Sequence, residues 1–476
     1  MQMEYLKWIE DNRDEMIEAL RGLIRIRSVE VEEVLDMPFG KGVHDAFVYM
    51  LDMAERDGFE VENIDNYGGH IEFGGHDAGE VLGILGHLDV VPEGNDWDFP
   101  PYGAEISDGK VYGRGAIDDK GPVVAAYFAM RALKEGGFMP EKKVRLILGL
   151  DEETNWTGMK KYLQKVKAPA IGFSPDGDFP VIHGEKGILV FELAKKMGKV
   201  TAKGLLLRSF KGGEAANMVA DHVRAVVRDE RQGAYEKIKA EAAKYREEKD
   251  LRVNVKGIGK SLEITARGVS SHGAKPENGL NAISIMMDFL GRFAFANDDI
   301  NEFISFYNSR IGFELDGRGM GCDLHDEASG GTVLNAGMID MDSEAASLTL
   351  NVRYPVTVSE DAVYGGIAPV INEYGLGIVK IRNEAPIYFP KESPLINTLL
   401  DVYRKHTGDY ENGAIVIGGG TYARAAENLV AFGAVFPADK DLAHMKNEYI
   451  EIDKMILMSK IYADAIYELS KPEMSE

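Results

Sequence analysis

The chain has 476 residues, of which 45% are hydrophobic and 28% are charged, and these are ordinary values for a globular protein. Its 54 Lys and Arg residues stand against 78 Asp and Glu residues, which gives a net charge of −24. The sequence shows no basic stripe that could follow a phosphate backbone, so nucleic acid is not an expected partner. We interpret the acidity as a contribution to solubility.

No apolar stretch approaches the roughly 18 residues of a membrane-spanning helix, so no membrane association is expected. The start of the chain is amphipathic and acidic, and it lacks the basic and apolar regions of a secretory signal. The single cysteine, Cys322, excludes an internal disulfide and is typical of a reducing compartment. The sequence therefore predicts a cytoplasmic protein in which any metal site uses oxygen and imidazole ligands.

Hydrophobic periodicity and turn residues predict an alternation of helices and strands in the first part of the chain. The predicted order is a helix over residues 3–21, a helix over 43–57, a short strand at FEVENI, a strand over 81–85, a helix over 120–135 and a strand over 143–150. Such an alternation predicts parallel strands, with ligand groups gathered outside their carboxyl ends.

Around residue 185 the character of the sequence changes, and a second domain is predicted to begin. Its predicted elements are a long charged helix from about Glu214 to Asp250, the strand SLEITARGV, a helix over 280–293, strands at TVLNAGMID and SLTLNVRYPV, and a helix over 361–374. From about residue 385 the sequence pattern of the first part of the chain resumes. Residues 1–185 and 385–476 are therefore expected to form one discontinuous domain around an insert, residues 186–384. The expected fold is α/β, with a mixed, mostly parallel sheet flanked by helices, plus an inserted α+β domain.

Three short segments place histidine or carboxylates where a predicted element ends or begins. The residues are His87 and Asp89 in VLGILGHLDVV, Asp118 and Asp119 in GRGAIDDKGP, and Glu152 and Glu153 in VRLILGLDEE. Acids at the ends of buried strands are unfavourable to desolvate unless a cation compensates them. Their coincidence at three successive sites therefore predicts a metal centre.

Each segment taken alone has a more ordinary interpretation. His87 could be a core histidine satisfied by a nearby acid, and the acid pairs could be helix starts with a solvated neighbour. All of these interpretations would have to hold together at the ends of elements that are predicted to converge, so the metal centre is the better account. His87 and Asp89 project to the same side of a strand, so one can bind a metal while the other orients it.

Two further residues complete a candidate set of ligands, Asp176 in FSPDGDFP and His444 in DLAHMKNEY. An acid in a Pro/Gly turn and a lone histidine usually have structural roles, so each is a weak signal by itself. Together with His87, Glu153 and a bridging Asp118, they would give each of two ions one imidazole, one terminal carboxylate and the shared aspartate. This mixed set favours zinc, with manganese or cobalt as alternatives.

The chain resembles the di-zinc metallopeptidase superfamily of aminoacylases and carboxypeptidases, and within it the bacterial Xaa-His dipeptidases. The resemblance covers essentially the whole chain, and its motifs occur in the family's order: GHLDVVPEG, WDFPPYG, VYGRGAIDDKGP, DEE, SPDGDFP, EKG, SSHGAKPENG, NVRYPV and AHMKNEY. The resemblance implies two zinc ions, whose ligands would be His87 and Asp176 on one, Glu153 and His444 on the other, and Asp118 on both.

The same resemblance implies roles for the neighbours of these ligands. The peptide bond between Asp118 and Asp119 would be cis, and Asp89 would orient His87. A water bridging the two zinc ions would have its pKa lowered toward about 7, and the hydroxide it forms would attack the scissile carbonyl. Glu152 would act as the general base and then as the general acid.

Other implied residues lie outside the metal motifs. In the insert, which is a lid in the family, His272 and Arg353 would hold the oxyanion and the substrate, with Asn217 beside them, so that catalysis requires domain closure. From the residues alone, His272 could equally be a turn histidine and Arg353 a surface residue of a strand. The loop GGGTYAR would lie near the substrate carboxylate, although it could also be a glycine-rich turn before a helix; its candidate residues are Thr421, Tyr422 and Arg424.

The expected function is metal-dependent hydrolysis of short peptides with a free N-terminus. The large insert resembles the monomeric dipeptidase branch, so a monomer is expected and a homodimer is left open. The first alternative is an N-acyl-amino-acid amidohydrolase or deacetylase of the same superfamily, because the same chemistry cleaves either amide. A non-catalytic binding protein would commonly have lost its general base or a ligand, and a dinuclear phosphoesterase would need a cationic clamp that the motifs do not supply.

Overall fold

The computed structural model describes residues 2–75, 79–198, 200 and 203–471. The helices are α1 (Gln2–Asp11), α2 (Arg13–Ile24), α3 (Lys41–Arg56), α4 (Lys120–Glu135), α5 (Thr157–Lys165), α6 (Ala234–Lys249), α7 (Ala282–Leu290), α8 (Asp298–Arg310), α9 (Glu360–Glu373), α10 (Pro394–Thr407) and α11 (Ile452–Leu469). The strands are β1 (Glu60–Asn63), β2 (Gly69–Phe73), β3 (Val81–His87), β4 (Glu105–Ser107), β5 (Lys110–Tyr112), β6 (Lys143–Gly149), β7 (Ile171–Ser174), β8 (Ile182–Glu185), β9 (Gly187–Lys196), β10 (Leu206–Gly212), β11 (His222–Arg228), β12 (Arg252–Ile258), β13 (Ser261–Arg267), β14 (His325–Asp326), β15 (Gly330–Gly331), β16 (Val333–Met341), β17 (Ala345–Tyr354), β18 (Gly377–Glu384), β19 (Ile387–Tyr388), β20 (Ile415–Ile417), β21 (Leu429–Ala431) and β22 (Tyr449–Glu451).

The chain divides into two compact units, and each consists of more than one segment. The first comprises Met1–His183, Phe389–Ile415 and Gly420–Glu476, and the second comprises Gly184–Tyr388 and Val416–Gly419. The short segment 416–419 was expected in the first domain but belongs to the second unit. The reason is hydrogen bonding, because the Lys186 amide donates to Ile417 O at 3.0 Å and Arg353 Nη1 donates to Gly418 O at 3.1 Å.

The first unit is built on a mixed sheet whose strands follow the order β1-β2-β6-β3-β7-β21-β8. The central strands β6, β3, β7 and β21 are parallel, whereas β1, β2 and β8 pair antiparallel with their neighbours. Strands β3 and β6 are buried along nearly their whole length, as expected of parallel strands that are covered on both faces. The predicted α/β class with a mixed sheet is confirmed, and its parallel pairs lie in the centre of the sheet.

Helix α4 has the bounds that the sequence predicts, and its residues from Lys120 to Met130 are all buried. It packs against α1, α2 and α11 in the core of the first unit. The single helix predicted over residues 3–21 is two helices, α1 and α2, which meet at Asn12, whose side chain donates to Trp8 O at 2.8 Å. Within the described ranges, the helices are too short or too polar to cross a bilayer.

The second unit contains an antiparallel sheet in the order β12-β13-β11-β10-β16-β17-β9-β18. Apolar residues of this sheet form a core with α6, α7, α8 and α9. The long helix predicted from Glu214 to Asp250 is wrong in its first half, where β11 lies, and α6 occupies only the second half. In β11 the buried residues Val223, Ala225 and Val227 alternate with more exposed residues, most of them basic, which is the period of a strand.

Candidate metal centre

The loops that follow the central parallel strands carry the acidic groups. Strand β3 ends at His87, which lies beside Gly149, the last residue of β6. Glu153 follows β6 in the chain, and Asp176 comes two residues after Ser174, the end of β7. Because the carboxyl ends of parallel strands lie along one edge of the sheet, these side chains are brought together there.

The ligand atoms of these residues are close to one another. His87 Nε2 lies 3.0 Å from Asp118 Oδ1, and His444 Nε2 lies 3.2 Å from Asp118 Oδ2 and 3.0 Å from Glu153 Oε1. Asp176 Oδ2 is 4.0 Å from His87 Nε2. One donor atom each of His87, Asp118 and Glu153 lies within 4.8 Å of the other two. Asp118 therefore offers one oxygen to each imidazole.

The crowding of acids shifts the pKa values of these groups. Burial, together with the charge of Asp118, raises the pKa of Asp176 to about 7, and burial likewise raises the pKa of Glu153. Although burial opposes it, hydrogen bonds with Asp118 and Asp89 raise the pKa of His87 well above its usual value. Hydrogen bonds with Asp118 and Glu153 raise the pKa of His444 to about 11. These opposite influences reflect a cluster in which carboxylates outnumber imidazoles.

The donor set fits a divalent metal ion. Imidazole nitrogens and carboxylate oxygens are the ligands that zinc, manganese and cobalt accept in proteins. A bound cation would relieve the repulsion among carboxylates whose pKa values are raised by burial and by one another. The neighbouring oxygens of Asp118, one facing each imidazole, are suited to two ions rather than one.

Asp89 fixes both the first histidine and the acidic loop after β6. Its carboxylate is 1% exposed, and it accepts hydrogen bonds from the amides of Glu152 at 3.1 Å and Glu153 at 3.0 Å. The same carboxylate lies 3.4 Å from His87 Nδ1, and the backbone oxygen of Asp89 is 3.0 Å from that nitrogen. An acid placed against the far nitrogen of a ligand histidine determines its tautomer and its orientation.

The second acid of the pair at residues 118–119 has a different position from the first. Asp119 is fully buried, and its Oδ2 accepts the backbone amide of His87 at 3.1 Å. The peptide bond between Asp118 and Asp119 is cis, as the family resemblance implies. Asp118 faces the two imidazoles, while Asp119 ties the end of β3 to the start of α4.

Three candidate residues belong to the second unit. His272 and Asn217 are exposed neighbours, since the Gly273 amide donates to Asn217 O at 2.7 Å and Met218 pairs with His272 in an isolated bridge. Arg353 lies on β17 and is only 4% exposed, and its Nε donates to Asn351 Oδ1 at 2.8 Å. Arg353 is therefore a buried strand residue, and the roles of all three in catalysis stay predictions.

The loop GGGTYAR supplies packing behind the first histidine. Thr421 Oγ1 accepts the Ala423 amide at 3.3 Å at the start of a 3-10 turn, Tyr422–Ala425, which also contains Arg424. Tyr422 is fully buried, and its ring lies edge-on 5.9 Å from the ring of His87. A Cβ at Gly149 would come within 2.0 Å of the Tyr422 hydroxyl, which explains the glycine at the end of β6. That these loop residues contact the substrate stays a prediction.

Sequence reasoning missed two buried charged residues beside this centre, Arg114 and Glu448. They are 2% and 0% exposed, and Arg114 Nη1 donates to Glu448 Oε2 at 2.8 Å. Both lie inside motifs that contain proposed metal ligands, GRGAIDDKGP with Asp118 and AHMKNEY with His444. The sequence does place Arg114 between two glycines and just before the acidic pair. A buried charge in such a segment needs a partner of opposite charge nearby.

The chain is similar to known peptidases over nearly its whole length. The family model of peptidase family M20/M25/M40 matches residues 83–468. The β-Ala-Xaa dipeptidase of Lactobacillus delbrueckii subsp. lactis is 38% identical over 480 residues, covering 99% of this chain and all of the relative. Among solved structures, human carnosine dipeptidase 1 has a TM-score of 0.55 at 16% identity, covering 99% of this chain and 100% of that one. The aminoacylhistidine dipeptidase of Vibrio alginolyticus has a TM-score of 0.57 at 15% identity, covering 95% of this chain and 96% of that one.

Proposed function

This chain belongs to peptidase family M20/M25/M40, and from that premise we propose that it is a metal-dependent dipeptidase. The observation that carries the proposal is the position of Asp118, whose two oxygens lie 3.0 and 3.2 Å from the ring nitrogens of His87 and His444. A carboxylate between two imidazoles, with further acids at its side, is an arrangement that suits a pair of divalent ions. Zinc is the proposed metal.

The ligands divide into two sets around the shared aspartate. His87 and Asp176 would hold one ion, and Glu153 and His444 would hold the other, with Asp118 binding both. The contacts among the side chains support this division, because His87 lies near Asp176 and His444 lies near Glu153. When bound, the ions polarise a peptide carbonyl and acidify water, which makes amide hydrolysis feasible at neutral pH.

Glu152 is the proposed general base and general acid. Asp89 holds the amides of Glu152 and Glu153 side by side, so that one acid can serve the metal while its neighbour moves a proton. Burial, with the charges of Asp176 and Glu153 assisting, raises the pKa of Glu152 well above its usual value. Glu152 would take a proton from the attacking water and return it to the leaving amine.

Residues of the second unit are proposed to act on the substrate itself. His272 would donate to the developing oxyanion, and Arg353 would hold the substrate, with Asn217 beside His272. The loop that carries Thr421, Tyr422 and Arg424 is proposed to lie near the substrate carboxylate. We propose dipeptides with a free N-terminus as substrates, β-alanyl dipeptides among them, because the 38%-identical relative is a β-Ala-Xaa dipeptidase.

The proposed setting of the enzyme is the cytoplasm, and its proposed state is a monomer. The single cysteine, Cys322, is buried and its thiol pKa is raised by burial to about 12, which suits a protein without disulfide chemistry. Neither nucleic acid nor a membrane is part of the proposal, and the partner is a short peptide.

The proposal is tested on metal-stripped protein to which zinc, manganese or cobalt is returned. A panel of β-alanyl dipeptides, α-dipeptides and N-acetyl amino acids is assayed with each metal, and we expect turnover of unblocked dipeptides with zinc. The variant Glu152→Gln should keep both metals and lose about 100- to 10,000-fold in kcat, the usual contribution of general acid–base catalysis. Cleavage of the N-acetyl amino acids alone would make the protein an amidohydrolase instead. Metal and peptide binding without turnover would make it a binding protein.

A further inference from the structure

The two segments that supply Asp118 and His444 are far apart in the chain but are joined by one buried ion pair. Arg114 precedes the loop 115–118, and Glu448 follows His444 by four residues. Arg114 Nη1 donates to Glu448 Oε2 at 2.8 Å, and the two side chains are 2% and 0% exposed. Desolvation of both charges offsets much of their attraction, so an ion pair this deeply buried adds little net stability by itself.

The carboxylate of Glu448 is saturated by the backbone of the loop that carries Asp118. Its Oε2 also accepts the Gly115 amide at 3.1 Å, and its Oε1 accepts the amides of Ile117 at 2.9 Å and Asp118 at 3.2 Å. Three backbone amides of the loop 115–118 are thus fixed to a single side chain. This carboxylate orients the residue whose two oxygens face both imidazoles.

The guanidinium of Arg114 holds the other segment. Nη2 donates to His444 O at 3.3 Å, and Nη1 also donates to Met445 O at 3.2 Å. The guanidinium lies over the ring of Trp97, at 5.3 Å from its centroid, and this contact helps to fix the orientation of the guanidinium. His444 has a left-handed backbone, with φ of 63°, so its position depends on contacts outside its own side chain.

Strand pairing brings the two partners together. Strand β22 pairs antiparallel with β5, with Tyr449 opposite Tyr112, and the Gly113 amide donates to the backbone oxygen of Glu448 at 2.9 Å. The pairing sets the approximate distance between the segments. The ion pair then fixes the loop 115–118 and the turn at His444 relative to each other.

We propose that Arg114 and Glu448 are positioning residues that hold the backbones of Asp118 and His444 at the separation at which both side chains bind one metal ion. The inference rests on the proposed function in one respect, that Asp118 and His444 are metal ligands. It adds that metal affinity is set by a pair of side chains that contact neither the metal nor the substrate. Groups behind metal ligands commonly contribute about 10- to 100-fold to affinity.

The test compares Glu448→Gln with Glu72→Gln in the full-length protein. Glu72 is a matched control, because it is a buried acid of the same unit that is paired with Arg145 and Lys143 and contacts no proposed ligand. In Glu448→Gln the carboxamide NH₂ must face either Arg114 and the Gly115 amide or the amides of Ile117 and Asp118. The NH₂ group then faces other hydrogen-bond donors, and the loop 115–118 should become less ordered. Zinc alone is the probe, with dissociation constants taken from competition with a chelator.

We expect Glu448→Gln to weaken zinc binding by about 10- to 100-fold and Glu72→Gln to change it less than about twofold. In the metal-stripped proteins, hydrogen exchange should become faster in peptides that cover residues 113–118 of Glu448→Gln and stay unchanged there in Glu72→Gln. Unchanged affinity and exchange in Glu448→Gln would overturn the proposal, and so would equal losses in the two variants. The exchange measurement tests whether Glu448 holds residues 113–118 in place, even if the wild-type protein binds zinc poorly.

Arg114→Lys is the second variant, which keeps the positive charge if Glu448→Gln does not fold. A lysine ammonium cannot reach Glu448 Oε2 and the carbonyls of His444 and Met445 at once, as the guanidinium does. We expect about tenfold weaker zinc binding and faster exchange in peptides covering residues 441–447, with residues 113–118 still protected. Wild-type affinity with unchanged exchange in this variant would overturn the proposal. A wild-type protein that binds zinc tightly but splits no dipeptide contradicts the proposed function and leaves this inference standing.

Discussion

Among the described residues of the first unit, the candidate metal centre and a second cluster of histidine and carboxylate differ in how their charge is balanced. In the metal centre, His87 and His444 face Asp118, Glu153 and Asp176. In the second cluster, which we call the β2–β6 cluster, His70 and Glu72 lie on β2, and Lys143 and Arg145 lie on β6. Glu72 accepts from Lys143 Nζ at 2.9 Å and from Arg145 Nε, directly across the strand pair.

The opposite pKa shifts of two buried histidines show what this difference means. Hydrogen bonds with Asp118 and Asp89 raise the pKa of His87 despite its burial. Burial, together with the charge of Arg145, lowers the pKa of His70 to about 4. The β2–β6 cluster contains its own cations, so the charge of Glu72 is balanced within the fold. The candidate metal centre has more carboxylates than cations among these groups, and a bound metal ion would relieve this imbalance.

The largest effect is expected from Asp118→Asn, which removes charge from the oxygens facing both imidazoles. We expect loss of at least one metal ion and a fall in dipeptide turnover of at least about 1,000-fold, since a metal supplies several kcal/mol of transition-state stabilisation. Metal content by elemental analysis and kcat on a dipeptide check this. A variant that keeps two ions and ordinary turnover would contradict the role of Asp118.

The corresponding change in the β2–β6 cluster is Glu72→Gln. It leaves Arg145 buried without its carboxylate partner, so the free energy of unfolding should fall by about 3 kcal/mol. Zinc affinity and kcat should remain those of the wild type, because the cluster contacts no proposed ligand. Urea unfolding, chelator competition and the dipeptide assay measure the three quantities. A loss of zinc affinity in Glu72→Gln would mean that the β2–β6 cluster also affects metal binding, contrary to the distinction drawn between the two clusters.

Stabilisation by zinc should distinguish the candidate metal centre from the β2–β6 cluster. At a free zinc concentration 100 times its dissociation constant, binding should raise the free energy of unfolding of the wild type by about 2.7 kcal/mol. Glu72→Gln should gain as much as the wild type, starting from a lower value, whereas Asp118→Asn should gain far less. Urea unfolding with and without zinc gives these differences, and an equal gain in all three proteins would show that zinc acts elsewhere.

The sequence predicts the parts of the metal centre that follow local elements. His87 could be located because it ends a strand rich in apolar residues, and Glu153 because it lies four residues beyond the end of another such strand. Helix α4 could be given its correct bounds from Pro122 and the glycines behind it. A continuous apolar run ending in a charged group is a local signal that needs no knowledge of the fold.

The parts that depend on distant pairing could not be predicted in the same way. His444 and Glu448 reach the centre because β22 pairs with β5, and nothing in the local sequence specifies that pairing. His444 was a weak candidate by itself, chosen because a metal site needs more donors, and Glu448 was missed. The helix predicted across β11 failed for a related reason, because the charged residues beside Val223 and Val227 fit a solvated helix until the neighbouring strands are known.

The smallest expected effect concerns the pH dependence of stability and comes from His70. Its folded pKa of about 4 lies below the value of about 6.5 expected in the unfolded chain, so between these values the unfolded state binds more protons. The contribution of neutral His70 is therefore present above about pH 6.5 and is lost as the pH falls toward 4, by about 2 kcal/mol between pH 7 and pH 5.

The variant His70→Gln isolates that contribution, since Tyr162 can still donate to the new side-chain oxygen in place of His70 Nδ1, which lies 2.9 Å from its hydroxyl. Urea unfolding of the two metal-stripped proteins at pH 7 and pH 5 should show a smaller loss of stability in the variant, by about 2 kcal/mol. Metal-free protein is used for both because the metal centre also titrates, and it does so equally in the two. Parallel stability curves would mean that His70 is protonated in the folded state, and the β2–β6 cluster would then lack the internal balance that distinguishes it from the metal centre.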